Sequence, residues 1–293
     1  MRPIAILVRI SALLLAGLAQ PALAASSPEL IGLEHQLSSL VSSRSGEYGI
    51  AALDLRDGTS VSVNGDTPFP MASIMKVAVA GAFLAQVDHG RRSLDDLVAG
   101  RTAAKQMELM ITRSDNQATD ALLANLGGPG TVQQWLASIG TTGIRVDRTI
   151  AQLLRDKRDL YDRQDVATPT AMVAMLRKID SGNVLTTGSR AVLLELMSRC
   201  MTGTHRIRAL LPAGTRVEDK TGTLNGVTNS VGFITMPDGR RVAVAVFSRG
   251  GSERARGIAE AARAIYDRFS VKVRSVYATL MPVSSSATTT GGM

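Results

Sequence analysis

A chain of 293 residues with 45% hydrophobic and 20% charged residues is too apolar for a disordered protein and has no fibrous repeat, so a globular fold with a sizeable core is expected. The formal net charge of +8 suggests anionic partners, yet aromatics are only 3% and no helix carries a basic stripe with interleaved aromatics, which argues against nucleic acid. Cys200 is the only cysteine, so no intrachain disulfide is available and packing must supply the stability.

The chain begins MRPIAILVRISALLLAGLAQPALA, with Arg2 and Arg9 ahead of an apolar run and a small-residue ending at Ala22-Leu23-Ala24. This pattern is that of a secretory signal peptide over 1–24. The apolar run is shorter than the ~20 residues a membrane span requires, and no cysteine near it offers a lipid anchor. A secreted or periplasmic monomer without a membrane anchor is therefore expected. Loss of Arg2 and Arg9 lowers its charge from +8 to +6.

Next, GEYGIAALDLRDGTSVSVNGD reads as two alternating runs joined by Asp57-Gly58, a hairpin signal. The run SIMKVAVAGAFLAQV over 73–87 is apolar nearly all round and predicts a buried helix. Helices over 118–126 and 132–139 follow, with Trp135 and the methionines at core spacings. The segment 148–165 has no clean period and reads as a long surface loop with one short helical turn. Thr168-Pro169 then caps and starts a further helix. Near the end, SVGFITM, the turn Pro237-Asp238-Gly239 and RRVAVAVFS predict a second hairpin, and a last helix is expected over 254–269. Strands at both ends with helices between them imply an antiparallel sheet assembled from the two termini, with an inserted all-α region. The resulting division is an α/β domain over 25–68 and 203–280, an all-α domain over 69–202, and a disordered low-complexity tail over 281–293.

Three motifs carry chemistry. Ser73-Ile74-Met75-Lys76 sets a hydroxyl and an amine three positions apart at a helix start, so both face one side. A lysine depressed by burial and neighbouring cations can take the serine proton, although S-x-x-K alone also suits a helix cap with an exposed lysine. Ser114-Asp115-Asn116 supplies a second hydroxyl for proton relay and a carboxamide able to hold a substrate amide, and it suits a helix cap equally well. Lys220-Thr221-Gly222-Thr223 reads as a strand edge where glycine admits a substrate backbone, the threonine hydroxyls can bind a carboxylate, and lysine sets the local field. His35, His89 and His205 are widely spaced and form no metal-ligand pattern, so neither a metal nor another cofactor is expected.

The order of this trio, together with FPMASIMK, ITRSDNQATDALLANLGGPG, TPTAMVAMLRKI and EDKTGTLNGVTNSVGFI, resembles the class A β-lactamases among the penicillin-recognising serine hydrolases over roughly 46–269. The resemblance implies the class A β-lactamase and DD-peptidase fold, with α/β and all-α parts. It also implies Ser73 as the acylated nucleophile, Lys76 as its proton partner, and Ser114 and Lys220 as the rest of the proton network. Asn116 would hold the substrate amide, and the N–H groups of Ser73 and Thr223 would form the oxyanion hole. The stretch from Thr202 to Arg208 resembles the serine-carbapenemase branch, in which Arg206 would support the substrate carboxylate beside Thr221 and Thr223. The implied substrate is a small molecule, a β-lactam or a D-alanyl-D-alanine-like amide.

One part departs from the family. Class A enzymes carry R-x-E-x-x-L-N in the loop whose glutamate activates the deacylating water, and the matching stretch here runs from Arg148 through Ile150 to Leu154. Isoleucine cannot accept a proton, so acylation is expected to proceed while deacylation slows. Arg148 and Asp165 match the ion pair that staples the loop. Asp156, Asp159, Asp162 or Gln152 are the alternatives for the missing base. A D-alanyl-D-alanine peptidase, another peptidoglycan amidase, and a penicillin-binding protein that keeps its adduct remain open beside the β-lactamase reading.

Overall fold

The alternating runs at the two ends of the chain meet in one sheet, as the period-2 pattern predicts. The computed structural model describes residues 30–156 and 159–280, so the expected signal peptide and the 281–293 tail lie outside the described residues. In chain order the elements are α1 (Ile31–Ser42), β1 (Glu47–Asp54), β2 (Ser60–Val63), β3 (Phe69–Pro70), a 3-10 turn (Ala72–Met75), α2 (Lys76–Asp88), β4 (Leu97–Val98), β5 (Arg101–Thr102), α3 (Ala103–Thr112), α4 (Asn116–Leu126) and α5 (Pro129–Ser138). They continue with α6 (Ile150–Arg155), β6 (Val166–Ala167), α7 (Pro169–Asp180), α8 (Thr187–Ser198), β7 (Val217–Leu224), β8 (Val227–Thr235), β9 (Arg241–Arg249) and α9 (Arg254–Leu280).

The antiparallel sheet has the order β2-β1-β9-β8-β7, so the first hairpin docks on the last strand. β9 shows why the sheet is buried on both faces. Ala243, Ala245 and Phe247 enter a core shared with α2 and α7, while Val242, Val244 and Val246 enter a second core with α1 and α9. Alternate side chains of a strand point to opposite faces, so one apolar strand serves two layers. α2 lies inside the first core, with every residue from Lys76 to Ala85 buried. Trp135 packs so closely on it that a Cβ at Gly81 would lie 2.4 Å from the indole ring.

Two sequence expectations need correction. Ser73 lies in the 3-10 turn ahead of α2, not inside an α-helix. The last helix runs to Leu280 rather than ending at residue 269. The segment 148–165 carries its short helix as α6, closed by a capping box between Thr149 and Gln152, with Ile150 and Leu153 buried. Helix α1 was not anticipated, because no side chain caps its N-terminus and only Leu33 and Leu37 mark its buried face.

Candidate active site

Three separate elements converge on Ser73. The 3-10 turn holds the half-buried serine, and Lys76 opens α2 directly behind it. The α3–α4 connection supplies Ser114, and the first residue of α4 is Asn116, with Asp115 capping α4 through a 2.7 Å bond from Ala118 N to its carboxylate. Strand β7 brings Lys220, Thr221, Gly222 and Thr223. Gly222 permits the approach: a Cβ there would stand 2.6 Å from the Met71 carbonyl oxygen and 3.2 Å from Ile74 N. Any larger residue would push the strand off the nucleophile turn.

The Lys76 amine is buried and donates to Ser114 O at 2.7 Å, Asn116 Oδ1 at 2.8 Å and Ser114 Oγ at 3.3 Å. Lys220 Nζ donates to the same Ser114 hydroxyl at 3.0 Å and to Thr221 O at 2.9 Å. A hydroxyl has two lone pairs and one proton, so Ser114 with both lone pairs filled by amines keeps its own proton free to donate. Burial, and then the charge of Lys220, lower the Lys76 pKa to about 7. Burial lowers Lys220 to about 8, against the opposing influence of Cys200 and Asp219. Desolvation penalises each ammonium, and the charge of Lys220 further discourages that of Lys76. An amine poised near neutrality beside a serine hydroxyl is what general-base activation requires.

On the outer side of β7, Arg206 donates to Gly222 O at 3.0 Å, Asn229 O at 2.8 Å and the Thr223 hydroxyl at 2.5 Å. Thr221 and Thr223 are two apart on a strand, so their side chains share a face. This leaves two hydroxyls and a guanidinium together, a combination suited to a carboxylate. Asn116 is exposed; its Oδ1 is occupied by Lys76, which leaves its amide N–H groups for a carbonyl.

The 148–165 segment sits beside this pocket and is organised around Arg148. That guanidinium donates to Asp165 at 2.6 Å, Asp162 at 2.7 Å and Asp156 at 3.0 Å. Asp165 also accepts from the backbone of Asp147 and Arg148, and its carbonyl accepts from Met71 N at 2.8 Å, tying the segment to the nucleophile turn. Gln152 Oε1 accepts from Thr149 N, and Asp159 accepts from Tyr161 N at 2.6 Å. Burial raises the Asp162 carboxyl, but the Gln164 N–H and Arg148 outweigh it and hold Asp162 below the usual carboxylate range. The α6 N-terminus is capped by Asp120, which accepts from Ile150 N at 2.6 Å and Ala151 N at 2.8 Å. Ile150 itself is buried in the core shared with α2.

A family model described as the beta-lactamase enzyme family matches residues 32–269. The chain belongs to the beta-lactamase enzyme family. It is 31% identical over 226 residues to the carbapenem-hydrolyzing beta-lactamase KPC of Klebsiella oxytoca, covering 70% of this chain and 76% of that protein. It is 29% identical to the extended-spectrum beta-lactamase PER-1 of Pseudomonas aeruginosa, covering 76% of this chain and 82% of that one. Among solved structures, an ancestral class A beta-lactamase superposes with a TM-score of 0.76 at 35% identity, covering 80% of this chain and 99% of its own. The protein is thus a serine β-lactamase-like hydrolase of class A fold. No helix among the described residues is long and apolar enough to cross a membrane.

Two contributors to this beta-lactamase-family pocket escaped the sequence reading. Buried Asn229 donates to Pro70 O at 2.8 Å and Met71 O at 3.0 Å while accepting from Ser248 N at 3.1 Å, stitching the nucleophile turn to the sheet. Its position opposite Gly222 in the strand register is a long-range fact that carries no local signature. Ala72 and Ser114 adopt left-handed backbone at φ 52° and 57°. Such a conformation costs an L-residue about 1–2 kcal/mol, so the bonds from Asn229 and Lys76 offset real strain.

Proposed function

We propose that the protein is an exported serine hydrolase that opens β-lactam amides through an acyl-Ser73 intermediate and releases the acyl group slowly. The observation carrying the first half is the chain from Lys76 through Ser114 to Lys220 beside the nucleophile turn. Neutral Lys76 takes the Ser73 proton as the hydroxyl attacks the lactam carbonyl. The tetrahedral oxyanion lies between the N–H groups of Ser73 and Thr223, each such donor being worth about 3 kcal/mol of barrier. Ser114 passes its proton to the departing nitrogen and is recharged with the proton that Lys76 took from Ser73, while Lys220 stays cationic. Asn116 donates to the acyl-amide carbonyl, and the substrate carboxylate rests on Thr221 and Thr223 with Arg206 behind. The carbapenem-hydrolyzing relative and the Arg206 contact together extend the expected substrates to carbapenems.

Slow release rests on Ile150, which the resemblance puts in the place of the class A loop glutamate and which is buried. Every alternative base already has a partner: Gln152 in the capping box, Asp159 in a local turn, and Asp156 and Asp162 on Arg148. Losing general-base help slows a step by about 10²–10⁴-fold. The leader over 1–24 directs export to the periplasm, where the chain acts as a monomer.

Intact-mass measurement after mixing with benzylpenicillin tests the acylation half, with an adduct equal to one penicillin expected on the wild type and none on Ser73→Ala. An unmodified wild type beside a fully labelled control enzyme would sink the proposal. A chromogenic cephalosporin tests the second half: one product per site and then a slow rate is expected, whereas fast linear turnover overturns slow release. Rapid release of D-alanine from a muropeptide would favour the peptidase alternative instead.

A further inference from the structure

The two threonine hydroxyls on β7 differ in what stands behind them. Thr223 receives a hydrogen bond from Arg206 at 2.5 Å, so its oxygen is occupied from the rear and its proton is free to point outward. Thr221 has no cation in that role. Its hydroxyl is 2.5 Å from the Thr202 hydroxyl, which is in turn 3.3 Å from the Cys200 sulfur. Cys200 is buried and Thr202 half-buried, so this row of groups runs inward from the pocket.

The order of groups gives the row a preferred direction. A thiol is a weak donor and a weaker acceptor than a hydroxyl, so the favourable arrangement keeps the Cys200 thiol a donor to Thr202, whose hydroxyl and carbonyl oxygens lie 3.3 and 3.8 Å from the sulfur, and has the Thr202 hydroxyl donating to Thr221. The Thr221 proton then has only the pocket to point into. In the reverse arrangement Thr221 would turn a lone pair toward the pocket and repel an anion. The backbone reinforces the alignment. Gly203, at φ 74°, lets the 202–206 turn press against Thr221, where a Cβ would stand 2.3 Å from the Thr221 methyl group. The Thr221 rotamer is therefore held by packing, and only the proton direction is left for Thr202 to decide.

We propose that Thr202 is a positioning residue for the substrate carboxylate, holding the Thr221 hydroxyl with its proton toward the anion at the end of a donor row that begins at Cys200. With Arg206 acting on Thr223, the two hydroxyls then present a matched pair of donors. This rests on the reading that Thr221 and Thr223 take the substrate carboxylate.

The test compares benzylpenicillin with its methyl ester, binding each by calorimetry to a Ser73→Ala background so that no reaction intervenes. Thr202→Val should weaken benzylpenicillin by about 10-fold, the scale of one charge-assisted hydrogen bond, and leave the ester unchanged. Thr202→Ser should restore tight binding of the acid, and Cys200→Ala should weaken it by a smaller factor. Equal binding of the acid in Thr202→Val, or equal loss for acid and ester, would overturn the proposal, since a purely structural role lowers both. A wild-type pocket that does not prefer acid over ester would overturn it too. If Ser73 takes no acyl group while the acid-specific loss still appears, the hydrolase reading fails and this one stands.

Discussion

The nucleophile pocket and the 148–165 segment are comparable in their density of polar contacts and opposite in what those contacts leave over. In the pocket, two amines share one hydroxyl, Lys76 pushed toward neutrality by burial and by the charge of Lys220, and Lys220 by burial and, more weakly, by Arg206. Protons there can move at small cost. In the segment, one guanidinium faces three carboxylates; their hydrogen bonds outweigh burial and raise the Arg148 pKa, while Asp162 is held below the usual carboxylate range. Those charges fix a shape. A cluster of titratable residues therefore signals chemistry only when its charges conflict; when they are satisfied, it signals architecture.

Paired substitutions should separate the two regions most sharply. Lys76→Ala should slow acylation of Ser73 by about 10³-fold, read from the time course of penicillin adduct by mass. Its effect on stability should stay within about 1 kcal/mol, because relief of a desolvated amine opposes the cost of orphaned carbonyl groups. Arg148→Ala should do the reverse. Removing one partner from the buried pair with Asp165 should cost about 3 kcal/mol in urea unfolding, with acylation chemistry affected only through fold. A large stability loss in Lys76→Ala and none in Arg148→Ala would break the contrast.

Ile150→Glu tests whether shape is the only thing the segment has kept. A restored base should shorten the acyl-enzyme half-life by about 10²-fold, at some cost in stability because the site is in the core. An unchanged half-life would mean that the segment has been rebuilt around another task. The smallest effect concerns pH. Lys76 must be neutral to accept a proton, so acylation should rise as pH climbs through about 7. Lys220 must stay cationic to charge the network, so the rate should fall above about 8. The bell belongs to the coupled pair, and a flat profile between pH 6 and 9 would count against both assignments.

Much of the architecture is legible locally. The hairpins declare themselves by alternation and by Asp57-Gly58 and Pro237-Asp238-Gly239, and α7 by Thr168-Pro169, because strand period and capping are properties of neighbouring residues. Helices α1 and α8 were harder to see, since the former lacks a side-chain cap and the latter starts inside a Ser/Thr/Gly-rich stretch that reads as loop. The motif trio named the family, and the resemblance assigned the residues around Ser73.

By itself, then, the sequence determined the order of most elements, the three motifs that carry the serines, lysines and threonines of the pocket, and the family they point to. Tertiary structure decided how those groups behave. The lowered pKa of Lys76 arises from burial beside Lys220, which is 144 positions away along the chain. The roles of Asn229 and Gly222 arise from close approach between a strand and a turn distant in sequence. The partners of the acids in the 148–165 segment were set by folding: Asp156, Asp162 and Asp165 on Arg148, and Asp159 on the Tyr161 N–H. Desolvation and partner geometry act through space, and spacing along the chain does not encode them.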